Sequence, residues 1–144
     1  MVNLKIDVKS DKAIKALNKL IRKVPELAVR PMSVAVQYIA GAAQEKYLRG
    51  PRPIHLAVNT GALRKSISTK VILKDKTIEA HVGTNQVSKT GFNYPWYWEF
   101  KGHNDKPRPF LRPARDNYKD KWVKIFVDEF KKELKKWIEA NREV

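Results

Sequence analysis

One carboxylate in this chain stands where it could take part in acid–base chemistry. Glu99 lies between Trp98 and Phe100, and an apolar neighbourhood of this kind favours the protonated form of a carboxyl group. A protonated carboxyl group can serve as a general acid. The alternative is structural, because Arg108 and Arg112 follow soon after and arginine forms strong paired hydrogen bonds with carboxylates. We favour the structural interpretation.

Other catalytic or metal-binding patterns do not emerge from the residue spacing. No two of the histidines His55, His81 and His103 share the three- or four-residue spacing that places two ligands on one helix face. The chain has no cysteine, which excludes disulfides, thiolate metal sites and cysteine nucleophiles. It also lacks a Gly-x-Ser-x-Gly motif, a Walker loop and a dinucleotide-type glycine pattern. The sequence therefore predicts no metal, no cofactor and no enzyme activity.

The segment Tyr94–Phe100 is the most aromatic part of the chain. Aromatic side chains interleaved with cations can stack on the bases of a single nucleic-acid strand. Here the aromatics are contiguous and the nearest flanking cation is Lys101, so core packing or a buried subunit interface fits better. Nucleic-acid binding remains the alternative function, because the net charge of +15 would attract nucleic acid as readily as an acidic partner.

Hydrophobic periodicity predicts the elements that must position these residues. Alternation at residues 4–8 indicates a short strand, and Lys74-Asp75-Lys76 joins two strand patterns into a hairpin. Prolines predict that a first helix ends near Pro25 and that an irregular loop occupies residues 49–59. The remaining predicted elements are a second helix from about Glu26 or Pro31 to Leu48, strands at 67–73 and 77–83, and a long amphipathic helix at about 114–140. This is an α+β fold with a small antiparallel sheet packed against two N-terminal helices and a long C-terminal helix.

Length and composition set the limits of this architecture. A chain of 144 residues that is 42% apolar can bury one core, so residues 1–144 are predicted to form a single domain. The first twenty residues lack the apolar block of a signal peptide, and no stretch approaches the roughly 20 apolar residues of a membrane span. We expect no association with membranes.

Three segments in a fixed order carry a family resemblance. They are Thr60–Ile67 (TGALRKSI), then Val82-Gly83 leading into Tyr94–Phe100 with its Glu-Phe ending, then Arg108–Ala114 (RPFLRPA). Together they resemble the gene-product-ten-like minor tail proteins of siphophages, also called tail-completion or head–tail joining proteins. The resemblance covers most of the chain. It departs from the family where Lys101-Gly102 shifts the usual Glu-Phe-Gly-Thr turn by one residue, and the loop at 49–59 has no place in the pattern.

This resemblance implies a structural virion protein of a tailed phage or prophage that acts at the neck by docking to other subunits. Its implied partners are the connector, the tail terminator or the tail tube, with a homo-oligomeric ring in the virion and non-specific DNA contact left open. The implied location is the virion neck or tail, and the host cytoplasm during assembly. The residues expected to form the interface or its supporting motif are Thr60, Gly61, Leu63, Tyr94, Trp96, Trp98, Glu99, Phe100, Arg108, Pro109, Phe110, Arg112 and Pro113.

Elementary backbone chemistry gives several of these motif residues a physical role. Thr60 is a candidate helix cap and Gly61 permits a sharp turn before Leu63 enters the core. Pro109 and Pro113 restrict the chain at the entry to the last helix. Phe110 is therefore expected to pack against the sheet.

Overall fold

The structure, a computed structural model, describes residues 11–48 and 62–142 and confirms the α+β fold class. The predicted strand at residues 4–8, the predicted loop at 49–59, and Thr60 and Gly61 lie outside the described residues. Two π-helical turns, at Ala43–Tyr47 and Tyr97–Lys101, accompany the regular elements. These elements are α1 (Asp11–Ala42), α2 (Ala62–Ser66), β1 (Ser68–Lys74), β2 (Thr77–Gly83), α3 (Tyr94–Trp96), α4 (Leu111–Asn117) and α5 (Lys119–Ala140).

The two predicted N-terminal helices form one continuous helix, α1, which contains both Pro25 and Pro31. A proline inside a helix loses one hydrogen bond and crowds the preceding turn, at a cost of about 3 kcal/mol. Tertiary packing offsets that cost here, because Pro31 is almost completely buried and Ala28 and Ala35 on neighbouring turns are buried beside it. The helix therefore runs through both prolines, including half-buried Pro25, near which local propensity predicts a break.

The predicted hairpin is confirmed by the pairing of β1 with β2. The strands are antiparallel, with Ser68 opposite Gly83 and Lys74 opposite Thr77. Asp75 turns the chain with a φ of 53°, a left-handed conformation that a short polar side chain tolerates better than a branched one. Both strands lie against α1.

The core lies where the C-terminal half of α1, and the π-helical turn at Ala43–Tyr47 that follows it, meet the hairpin and α4. Phe110 is 1% exposed and packs with Ala40, Leu48 and Ile67. Phe110 is therefore a core residue whose buried neighbours lie mainly outside the sheet, with Val82 of β2 packed against the same group. A second buried group continues the core toward α5 and consists of Ile39, Ala43 and Ala114, with Tyr47, Val82, Leu111 and Trp122 packed against it.

Helix α5 runs antiparallel to α1 and is held to it by ionic contacts. Arg30 in α1 donates to Glu129 at 2.8 Å and lies 3.2 Å from Glu133. The sequence predicts these glutamates as part of a solvated face paired with Lys132 and Lys136, and those pairs form at 3.2 and 3.6 Å. Each glutamate side chain is nevertheless only 18% exposed, because both face α1. None of the helices within the described ranges is long and apolar enough to cross a membrane.

The contact between Arg30 and Glu129 predicts an acid-dependent contribution to stability. The hydrogen bond from Arg30 holds the pKa of Glu129 below its ordinary value. A lowered carboxyl pKa stabilises the folded chain at neutral pH, and this contribution is lost as the pH falls below about 4. We expect Arg30→Ala to lower the Tm by a few degrees at most at pH 7, and the difference from wild type to shrink as the pH falls through the lowered pKa of Glu129. Thermal melts from neutral to acidic pH test it, and a difference that does not shrink on acidification contradicts it.

Candidate docking surface

The aromatic segment folds into one short helix and one wide turn. Asn93 caps α3 by accepting a hydrogen bond from the backbone N–H of Trp96 at 3.2 Å. The π-helical turn then ends at Gly102, whose φ is 69°. A Cβ at this position would lie 2.0 Å from the carbonyl oxygen of Lys106, so only glycine fits. The one-residue shift in the Glu-Phe motif therefore coincides with a turn that requires glycine at position 102.

Glu99 is buried, with 3% of its surface exposed, and its carboxylate caps α4. Its Oε2 accepts hydrogen bonds from the backbone N–H groups of Phe110 at 2.8 Å and Leu111 at 3.0 Å. Its Oε1 accepts from the backbone N–H of Arg112 at 2.8 Å. A negative group at a helix N-terminus is also favoured by the helix dipole. The side chain thus joins the aromatic segment to the beginning of α4.

The first turn of α4 leaves no backbone donor without a partner. A helix begins with four N–H groups that have no acceptor within the helix. At α4 three of them bind Glu99, and the fourth position is Pro113, which has no N–H to satisfy. The Glu-Phe motif and the Arg-Pro-Phe-Leu-Arg-Pro-Ala motif are therefore two halves of one capping arrangement, although residues 101–107 separate them in sequence.

The two arginines of this region occupy different positions. Arg112 forms the ion pair with Glu99 that the sequence predicts, with Nε 3.2 Å from Oε1, and its guanidinium also donates to the Glu99 carbonyl oxygen. Arg108 lies over the ring of Trp98 instead, 5.0 Å from its centroid, while its backbone N–H donates to the Trp98 carbonyl oxygen at 2.8 Å. Of the two predicted partners of Glu99, the structure therefore selects Arg112.

Two aromatic rings and one arginine face outward and form what we call the aromatic–arginine surface, composed of Trp96, Phe100 and Arg112. Trp96 is 54% exposed and Phe100 is 53% exposed. The rings lie 5.8 Å apart between centroids, and the Arg112 guanidinium lies 4.7 Å from the centroid of Phe100. Core packing therefore does not account for Trp96 and Phe100, in contrast to the neighbouring Pro95 and Glu99, which are buried.

The remaining motif residues that the structure describes are more buried than those of the aromatic–arginine surface. Leu63 packs against the core and Phe110 lies within it, while Tyr94, Trp98, Pro109 and Pro113 are half-buried. Spacing alone did not single out Asn93 or Gly102. An asparagine two residues before a proline is a recognisable helix start, but the need for glycine at 102 arises only when the turn brings the Lys106 carbonyl group against it.

No family model, curated protein or solved structure matches this chain. The resemblance to phage tail-completion proteins consequently stands on the residues of this sequence alone. The geometry adds that the second and third of the resembling segments are bonded to each other through Glu99.

The histidines and carboxylates do not converge on a metal site in the part of the chain that the structure describes. His81 is exposed beside Glu79, with 3.5 Å between Nε2 and Oε2, and His103 is exposed in a turn. His55 lies outside the described residues. Glu99 is the buried carboxylate of the region, and both of its oxygens accept hydrogen bonds from backbone N–H groups. A general-acid role for Glu99 consequently gains no support.

Proposed function

We propose that this protein is a structural virion subunit of a tailed phage or prophage, which completes the tail or joins head to tail by docking and not by catalysis. The observation that carries the proposal is the capping of α4 by Glu99, because it unites two of the three resembling segments and leaves Trp96, Phe100 and Arg112 facing outward. The order of the three segments along the chain supports the same assignment.

The composition of the aromatic–arginine surface suits protein docking. Tryptophan, other aromatics and arginine are the residues most enriched at the energetic centres of protein interfaces. The position of Arg112 is set in advance, because its Nε binds Glu99 and its guanidinium lies over Phe100. Fixing side chains before binding reduces the entropy lost on association.

The proposed partners are the proteins of the phage neck and tail, namely the connector, the tail terminator or the tail tube, with a ring of identical subunits in the assembled particle. The net charge of +15 would favour an acidic partner and would accelerate encounter with it at low salt. The same field would permit non-specific contact with DNA passing through the neck.

Substitutions on the aromatic–arginine surface test this proposal in the phage that carries the gene. We expect Trp96→Ser combined with Phe100→Ser to reduce the number of joined, infectious particles at least tenfold, because two central interface rings are lost. Electron microscopy and plaque titre provide the measurement. Val123→Ser, at an exposed position of α5, is the matched control and should leave the titre unchanged.

The stability of the double variant must be measured beside its activity. Both rings are about half exposed, so the purified variant should keep the cooperative melt of the wild-type chain. Deletion of the gene provides the second test, and normal joined particles in its absence would refute the proposal.

Binding of single-stranded nucleic acid is a second candidate, because the structure brings cations to the rings. Arg112 lies over Phe100 and Arg108 over Trp98, so arginines accompany the aromatics in space although they do not in sequence. A fluorescent oligonucleotide distinguishes the two functions, since phosphate contacts weaken steeply with salt. Tight binding at physiological salt that Trp96→Ala abolishes would favour this candidate over docking.

A further inference from the structure

The N-terminal half of α1 carries a shallow groove between polar side chains on its outer surface. The groove has a volume of about 430 Å³ and is lined by Lys15, Asn18, Lys19, Arg22, Lys23 and Glu26. Their spacing of three, four, seven, eight and eleven residues from the first places all six on one face of the helix. In the part of α1 that the structure describes, buried residues begin at Ala28. This face therefore lies outside the core, and we call the six residues the basic groove.

Cations dominate the charge of the basic groove. Four of its six residues are lysine or arginine, and its single carboxylate, Glu26, is paired with Lys23. Lys15 and Arg22 are exposed, and no carboxylate within the described ranges pairs with either of them. The positive charge of the groove is therefore largely uncompensated within this subunit.

The lining of the basic groove is typical of contact with a nucleic-acid backbone. Lysine, arginine and asparagine side chains donate to phosphate oxygens, whereas lysine and glutamate are depleted from the centres of protein interfaces. None of the described residues that line the groove is aromatic or apolar. The groove therefore offers neither the anchor of a protein interface nor a ring on which an unpaired base could stack. This composition favours the phosphates of a duplex.

The spacing of the cations suits a regular row of phosphates. Lys15, Lys19 and Lys23 follow one another at intervals of four residues, so they rise along the axis of α1 in steps of about 6 Å. Each strand of a duplex presents one phosphate per ~3.4 Å of its axis, so the row spans about three phosphates of one strand. Lys19 is held within this row by Asn141, whose amide oxygen accepts from its Nζ at 2.8 Å.

The exposed apolar residues of the same half-helix point in another direction. Leu17 and Ile21 are exposed, and at about 100° per residue they lie on the far side of α1 from the basic groove. A helix adsorbs to a lipid surface through its apolar face, so contact through the groove would hold Leu17 and Ile21 away from the lipid. A membrane therefore fits this groove less well than a duplex does.

We propose that the basic groove binds the phosphate backbone of a nucleic-acid duplex, with the four cations of the groove as the phosphate contacts. Contacts of this kind hold a protein on a duplex without sequence preference. The groove shares no residue with the aromatic–arginine surface, so the inference does not rest on the docking function proposed above. A subunit with both surfaces binds a protein partner and a duplex at once.

Binding of fluorescent duplexes to the purified full chain tests this inference. The probes are a short DNA duplex of mixed sequence and an RNA duplex of the same sequence, and the tighter binder identifies which backbone the groove prefers. Fluorescence anisotropy should show saturable binding that weakens steeply between about 50 and 200 mM salt. With four phosphate contacts, the slope of log K against log salt should be about −3.6 or steeper.

Two double variants that remove equal charge localise the binding. Lys15→Gln combined with Arg22→Gln should weaken the preferred duplex at least tenfold at low salt and reduce the steepness of the salt slope by about 2. Lys131→Gln combined with Lys135→Gln, at exposed positions of α5, should change binding less than twofold. Trp96→Ala should also leave duplex binding unchanged. All of these side chains are exposed, so circular dichroism should show wild-type folding for each variant.

Four results would overturn the inference. The first is a lack of saturable binding of either duplex at about 50 mM salt. The second is equal weakening by the two double variants, which would assign binding to net charge alone. The third is loss of duplex binding in Trp96→Ala, which would assign it to the aromatic–arginine surface. The fourth is binding of polyglutamate or of phosphatidylglycerol vesicles that exceeds duplex binding and is lost with Lys15 and Arg22, which would assign the groove to an acidic protein or to a lipid surface.

Discussion

Replacing Glu99 with alanine is expected to lower the free energy of unfolding by about 3–5 kcal/mol, because the backbone N–H groups that it caps lose their acceptor and each unsatisfied donor costs about 1–3 kcal/mol. Three backbone N–H groups and the Nε of Arg112 bind this carboxylate. Alanine would leave those donors without an acceptor at a position that is 3% exposed in the wild-type chain. Denaturation by urea, followed by circular dichroism, measures the change.

Two further variants separate the helix cap from a general effect of losing charge. Glu99→Gln keeps the shape of the side chain but replaces one acceptor oxygen with a donor, so a smaller loss of about 1–3 kcal/mol is expected. Glu139→Ala removes an exposed glutamate of α5 and should change stability by no more than about 0.5 kcal/mol. If Glu99→Ala behaves like Glu139→Ala, the capping arrangement does not contribute to stability as described.

The elements that the sequence predicts correctly are those with a local cause. Alternating residues and the Lys74-Asp75-Lys76 turn specify the hairpin, and helical spacing from Trp122 to Ile138 specifies α5. The predicted break near Pro25 has an equally local cause, and there the structure differs. Pro31 is accommodated because the hairpin and α5 pack against α1, and such packing cannot be recognised from the proline itself.

The sequence predicts which residues form the candidate site, but not which hydrogen bonds hold Glu99 in place. Sequence proximity suggested arginine as the partner of Glu99, and Arg112 fulfils this role. The larger share of the bonds comes from backbone N–H groups at residues 110–112, which any residue except proline can provide. Side-chain types therefore carry no signal for them. Of the four positions of this cap, only Pro113, which has no N–H group, can be recognised from the sequence as typical of a helix start.

The exposed rings show the same limit of sequence reasoning. Contiguous aromatics without interleaved cations favour packing over stacking, yet folding places Arg108 over Trp98 and Arg112 over Phe100. The chain reverses direction between residues 101 and 107, with Gly102 at positive φ, and this reversal brings the two segments together. Separation along the sequence is thus a poor guide to the charge that surrounds an aromatic cluster.

Phe110 and Phe100 offer the same chemical change in two environments, and the expected effects differ severalfold. Phe110→Ala should lower the free energy of unfolding by about 3–5 kcal/mol, because the ring is 1% exposed and its loss leaves a cavity among Ala40, Leu48 and Ile67. Phe100→Ala should lower it by about 1 kcal/mol or less, since the ring is 53% exposed and loses its contacts with Arg112 and Trp96 at the surface. Urea denaturation of both variants provides the comparison.

Phe110→Leu refines the test, because leucine keeps most of the apolar volume and should lower stability by less than about 1.5 kcal/mol. The order of loss is then Phe110→Ala, followed by Phe110→Leu and Phe100→Ala. An equal loss for alanine at positions 100 and 110 would mean that Phe100 is buried in solution, either within the subunit or by another copy. Concentration-dependent stability identifies the second case, because association stabilises the folded state by mass action. The pair of phenylalanines therefore tests both the core and the outward orientation of the surface on which the proposed function depends.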